Sequence, residues 1–366
     1  MSNDSLVTQD WSGFVEKLGG AAALEASARA TKAFLRPREI KCAVDLLRFV
    51  LAYCLGGKGL RSTAAWATAI GLVNVSNPAL LYRLQQCGDW FSFLIHMTLA
   101  KGAPKAANGR LIRIIDGTTV PKAAKDARKK NGLWRIHAAF ELPAERFDHF
   151  ELTDEKGGEI LDRIPVIKGE IRLADRAFLQ PDRMAGVLDA GADFVIRAGW
   201  KGAKWLQKSG DPLDPIALLR SHSRAGRIDM PIWVGRKAGV PLKLRLIAAK
   251  KPAHAAEKSR RTAHREAQRG GHTIARETLE AADWVLIITS LPQDGYSTDD
   301  ILDLYRLRWR IELAFKRLKS TCGLSGPPGT DEASAKPWIL AHLLLIILLE
   351  PVIDEFESSP HSQLAA

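Results

Sequence analysis

Three carboxylates stand where chemistry at phosphorus could use them. Asp116 closes the apolar run LIRIIDG (111–117), Asp175 closes IRLAD (171–175), and Glu312 lies in YRLRWRIELAFKRLKS (305–320). None has a His or Cys partner nearby in the sequence. Carboxylate oxygens are hard ligands that suit Mg²⁺, with Mn²⁺ as a substitute, rather than zinc. Clustered carboxylates repel one another unless a cation sits among them. Two such ions about 4 Å apart clamp an in-line displacement at phosphorus. The chemistry that these residue types suggest is phosphoryl transfer on a nucleic-acid backbone.

The surroundings of Glu312 sharpen this. At about 100° per residue, Tyr305, Arg308, Glu312, Lys316 and Lys319 share an arc of about 80°, while Leu304, Leu307, Ile311, Ala314, Phe315 and Leu318 lie opposite. One face therefore packs on a sheet. The other presents Glu312 among cations that can hold phosphates and a phenol that can donate to one. Arg308 and Glu312, at i and i+4, equally satisfy an ordinary surface ion-pair ladder. Each Asp alone is equally a turn residue or a helix cap. The site reading gains from two aspartates at strand ends, because ligands of open α/β sheets collect outside the carboxyl ends of the strands.

The elements that must position these residues follow from periodicity. Residues 1–105 read as helical, with apolar spacing through Val44, Leu46, Leu47, Val50 and Leu51 and again through Leu80, Leu81 and Leu84. A helix from Ser62 to Ile70, ended by Gly71, and a second one capped by Ser76 with Pro78 in its first turn fit a helix-turn-helix or a plain helical hairpin. Short β-type runs follow at Leu111–Ile115, Leu133–Phe140, Phe147–Leu152, Ile171–Ala174 and Asp193–Arg197, with a helix over Pro181–Asp189 between the last two. Further strands are expected at Leu242–Ala248 and Trp284–Thr289, then one long helix from Thr298 to Lys319.

The chain has 366 residues and a net charge of +12, which concerns partners more than fold. Residues 1–110 carry +6 and residues 250–276 another +6, so the remainder is neutral overall. The 250–276 stretch is a solvated helix or loop, or a surface facing nucleic acid. The N-terminal MSNDSLVTQD lacks the character of a signal or transit peptide. Cys42, Cys54, Cys87 and Cys322 are scattered, which argues against a disulfide scaffold or zinc site and fits a reduced cytoplasmic compartment. Pro337–Leu349 is apolar and reads as a buried core helix rather than a membrane span.

Taken together, the sequence resembles a DDE transposase of the insertion-sequence-four type. Tyr305, Arg308, Glu312 and Lys319 fit that family's Y-x2-R-x3-E-x6-K signature at every spacing, and DGTT (116–119) and LADRAF (173–178) resemble its two Asp motifs. The resemblance implies an α/β fold: an RNase H-like, retroviral-integrase-like mixed-sheet core with a β-rich insertion, preceded by an all-helical DNA-binding domain. The expected divisions are 1–105 for DNA-end binding, 106–199 for the first part of the core and 200–290 for the insertion with the basic segment. Residues 291–320 would complete the core with the catalytic helix, and 321–366 would form a helical segment for dimerisation.

By the same resemblance, Asp116, Asp175 and Glu312 are catalytic and bind two Mg²⁺ ions. Tyr305, Arg308 and Lys319 contact the transposon end, with Lys316 beside them. Trp284 is either a stack for a flipped base or a core strand residue, and Arg197 in FVIR lies near the DNA. The implied activity is cut-and-paste transposition, in which the freed 3′-OH forms a hairpin on the opposite strand and later joins target DNA. The partners would be double-stranded DNA, as terminal inverted repeats and target, and a second copy of the chain. The setting would be the nucleoid of a prokaryotic cytoplasm. A Mg²⁺-dependent nuclease without strand transfer and a repurposed DNA-binding protein are the rival readings. Two departures stand out. Ala177 replaces the family's usual Gly after Asp-Arg, and 47 residues (320–366) occupy the place of a longer dimerisation region in larger relatives.

Overall fold

The computed structural model describes residues 11–101, 109–123, 132–142, 144–329 and 331–357. The N-terminal decapeptide read above lies outside them. Six helices come first: α1 (Trp11–Lys17), α2 (Gly20–Ala30), α3 (Ala43–Leu55), α4 (Leu60–Ala69), α5 (Asn77–Gln86) and α6 (Gly88–Lys101). In α3 the helical spacing of Leu46, Leu47, Val50, Leu51 and Cys54 buries one stripe. Gly71, at φ +68°, ends α4 in the left-handed conformation, and Leu72 N–H bonds back to Ala67 C=O. Ser76 and Pro78 open α5 as the sequence signals. The connection spans residues 70–76, longer than the three- or four-residue turn of a helix-turn-helix.

Strands β1 (Ile112–Pro121), β2 (Leu133–Leu142) and β3 (Arg146–Thr153) form an antiparallel meander. Next come β4 (Ile171–Ala174), α7 (Pro181–Asp189) and β5 (Asp193–Ala198), with β4 parallel to both β1 and β5. All four residues of β4 are buried, as a central parallel strand requires. Then follow β6 (Trp205–Leu206), α8 (Pro215–Ser221), β7 (Arg227–Val234), β8 (Leu242–Lys250), α9 (Ala253–Arg269), α10 (Arg276–Ala282) and β9 (Trp284–Thr289). The nine strands make one sheet in the order β3-β2-β1-β4-β5-β9-β8-β7-β6. The β-rich segment thus extends the core sheet, because β9 pairs antiparallel with β5 on one side and β8 on the other. This large mixed sheet with helices is consistent with an RNase H-like core.

Alternation along the strands divides the core into two faces. Ile114, Leu173, Val195, Ile247 and Ile287 join one cluster with the N-terminal helices. Ile115, Ala174, Ile196, Leu246 and Ile288 join the other, with α7 and α8. The first cluster also receives α11 (Thr298–Arg306), α12 (Trp309–Ser320) and α13 (Glu332–Glu357). The apolar stretch read from the sequence falls in α13. Its segment Glu332–Leu349 is long and apolar enough to cross a membrane, yet 72% of it is buried inside the fold. It packs on α6, α5 and α3, so the N-terminal helices share their core with the C-terminal helix.

Candidate active site

Asp116 sits mid-strand rather than at a strand end. The β-branched Thr118, Thr119 and Val120 carry β1 on to Pro121, paired with β2 throughout. The expectation that the strand closes at Asp116 is therefore corrected. What ends there is the neighbour: β4 pairs with β1 only from Ile112↔Ile171 to Ile114↔Leu173 and stops at Ala174. Continued by two residues, that register sets Asp175 beside Asp116. The notch left by β4 is where both carboxylates stand.

Asp175 caps the 3₁₀ turn Arg176–Phe178, its Oδ1 accepting the Ala177 N–H at 2.7 Å. Lys32 and Glu145 are the non-glycine residues with positive φ among those described, so Ala177 keeps an ordinary backbone and the turn needs no glycine. Glu312 arrives on α12, which buries Ile311, Ala314, Phe315 and Leu318. Phe315 packs on Phe147 at 5.6 Å between ring centroids, and Arg310 forms an ion pair with Glu145 between β2 and β3. The single helix expected over 298–319 is two. Leu307 and Arg308 bond to Leu304 and Tyr305 in i→i−3 fashion, tightening the junction between α11 and α12.

That junction delivers Arg308. Its Nη1 lies 3.3 Å from Asp116 Oδ2, and its Nη2 pairs with Glu312. One guanidinium thus spans two of the three carboxylates. Burial raises the Asp116 carboxyl to about 6, against the lowering effect of the Gly117 N–H and Arg308, with Asp175 and Glu159 adding repulsion. The Tyr305 hydroxyl is buried without a well-formed hydrogen bond, and its ionisation is raised by burial beside Arg308, Arg197 and Asp175. Arg197 shares the sheet face of Val195, the face covered by α11 and α12. Lys316 and Lys319 are exposed on α12. Trp284 alternates with Leu286 and Ile288 on the opposite face and is 6% exposed in the second cluster, so no ring face is open to a base.

Sequence reasoning missed Glu159, a fourth carboxylate in the field of Asp116 and Asp175. It lies in a loop after Gly157-Gly158, without a strand-end or helical-face signal. The basic segment is helical as α9 and reaches the site's edge, where Glu266 lies 3.9 Å from Arg176.

The donor set suits a hard divalent cation: carboxylates, one of them raised by burial and repulsion, with an arginine now supplying the positive charge. Among the described residues no three His, Cys, Asp or Glu side chains converge tightly enough to form a metal site by themselves.

Comparison with known proteins places this geometry. A family model described as Transposase DDE domain matches residues 107–348, a span that contains all three carboxylates. The InsL protein of insertion sequence element IS186A of Escherichia coli (strain K12) is 38% identical over 352 residues, covering 94% of each chain. The transposase for insertion sequence element IS421 of Escherichia coli is also 38% identical, over 353 residues and 94% of each chain.

Proposed function

The chain belongs to the DDE transposase family, and from that membership we propose that it is a cut-and-paste DNA transposase whose active site is Asp116, Asp175 and Glu312. The observation that carries this reading is the single guanidinium of Arg308 bridging Asp116 and Glu312 beside the notch where Asp175 stands. Two Mg²⁺ ions, or Mn²⁺ in their place, held by these carboxylates would supply activation of the attacking oxygen and stabilisation of the leaving one.

The chain's own groups do the rest. Arg308, neutralising carboxylates in the free protein, is placed to turn to a phosphate of the DNA end when cations replace it. Tyr305 brings an unpartnered hydroxyl to the same phosphate region. Lys316, Lys319 and Arg197 extend the cationic track along the face that carries Glu312. The N-terminal helices and α9 bind the terminal repeats through the two concentrations of positive charge. Hydrolysis breaks one P–O3′ bond at the element end and leaves a 3′-OH. That hydroxyl then attacks the opposite strand to close a hairpin, which is resolved. The freed 3′-OH next attacks a target phosphodiester and displaces a 3′-oxygen there. Two ends must be joined together, so a homodimer on double-stranded DNA does the work.

The test combines the full chain, Mg²⁺, DNA carrying the ends of its own element and a supercoiled plasmid. Joined products are expected. Nicked ends without joining would identify a nuclease, and binding without cleavage would identify a DNA-binding protein.

A further inference from the structure

Resting on that reading of the site, we infer that Glu159 is a fourth metal-facing carboxylate of the active centre, reaching it from the opposite face of the sheet to Asp116. Gly117 makes the approach possible. A Cβ at Gly117 would stand 3.1 Å from Glu159 Oε1, so any side chain there would press on the carboxylate. Gly117 pairs with His137 and shares the face of Ile115, whereas Asp116 shares that of Ile114. Glu159 therefore comes up beneath the strand, at the point where β4 has ended and both faces open onto the notch.

The loop that carries Glu159 is built to hold it there. Arg172 donates to the carbonyls of Leu161, Ile164 and Pro165, and Arg113 donates to Pro165 as well. Both arginines are anchored by the fully buried Glu170, and Arg113 also by Asp148. Gln180, just past the second Asp motif, donates to the Glu159 carbonyl at 2.8 Å. The carboxylate itself has one cation partner, Arg135 Nη1 at 3.2 Å. Arg135 Nε is buried with no partner, and so is the Tyr305 hydroxyl on the other side of the notch. Two orphaned polar atoms flanking a carboxylate pushed toward Asp116 and Asp175 mark a place prepared for a group not supplied by the chain.

Mn²⁺ titration of the full-length protein by calorimetry, without DNA, tests this. Glu159→Gln should weaken Mn²⁺ binding about tenfold, a change of about 1.4 kcal/mol. Arg135→Gln should leave Mn²⁺ affinity equal to or tighter than that of the unaltered protein, because Glu159 is then unpaired. If Arg135→Gln loses affinity as Glu159→Gln does, the pair is only a structural brace and the inference fails. If Glu159→Gln binds normally while Asp116→Asn does not, Glu159 is excluded and the three-carboxylate site stands. If neither changes affinity, the reading of the site itself is overturned.

Discussion

Arg308 is the residue on which the free site turns, since it satisfies Asp116 and Glu312 at once. Arg308→Ala should raise the Asp116 carboxyl further above about 6, because the nearest compensating charge is gone. The pH dependence of Mn²⁺ binding reports this as a midpoint displaced upward, and an unmoved midpoint would show that Arg308 does not govern Asp116. Trp284 makes a different prediction. Its indole is buried in the core, so Trp284→Ala should cost about 3–5 kcal/mol of stability in denaturant unfolding. A stable variant that instead cleaves DNA ends poorly would restore the base-stacking role. The signature spacing made Arg308 and Glu312 legible in the sequence, but Trp284 was not decided there. Its side of the sheet depends on how β9 pairs between β5 and β8, which local pattern does not encode.

At the scale of elements, the loop between β3 and β4 depends on one buried anion. Glu170 is fully buried and receives both Arg113 and Arg172. Glu170→Ala would strand two buried guanidinium groups and should cost about 3–5 kcal/mol, measured by denaturant unfolding. A loss under about 1 kcal/mol would mean that the arginines reach water or other acceptors. The periodic elements were readable: β4, α7 and the buried stripe of α12 fall where the apolar spacing puts them. The extent of β1 was not, because Asp and Gly within a strand look like a turn until the pairing with β2 is known. The break between α11 and α12 was also hidden, since Leu307 and Arg308 are good helix formers and the tightening reflects tertiary packing. The Glu159 loop lacked any periodic signal and became visible only when the sheet set it against Gly117.

Over the whole molecule, burial governs the response to acid. His137 and His149 are held neutral, each lowered to about 4, by burial above all, with repulsion from Arg163 and Arg135 for the first and from His96 for the second. The unfolded chain binds those protons between about 6.5 and 4, so stability is lost as pH falls through that window, by no more than about 3 kcal/mol for each histidine. Asp116 works in the opposite sense. Its raised carboxyl is a cost above about 6 that is relieved as pH falls toward 3.8, so it offsets part of the loss. The melting temperature should therefore drop between pH 6.5 and 4, and a His137→Asn, His149→Asn double variant should drop less; a flat profile in the parent would contradict the burial of these rings. Charge acts at the same scale. With +6 in residues 1–110 and +6 in 250–276, binding to DNA ends should weaken steeply with salt. The central claim is that Asp116, Asp175 and Glu312 together perform phosphoryl transfer, and Glu312→Gln tests it most directly. In Mg²⁺ with DNA bearing the element ends, cleavage should fall to background while end binding stays within about tenfold, because only the charge needed by the metal is removed. Cleavage retained by Glu312→Gln would contradict the assignment.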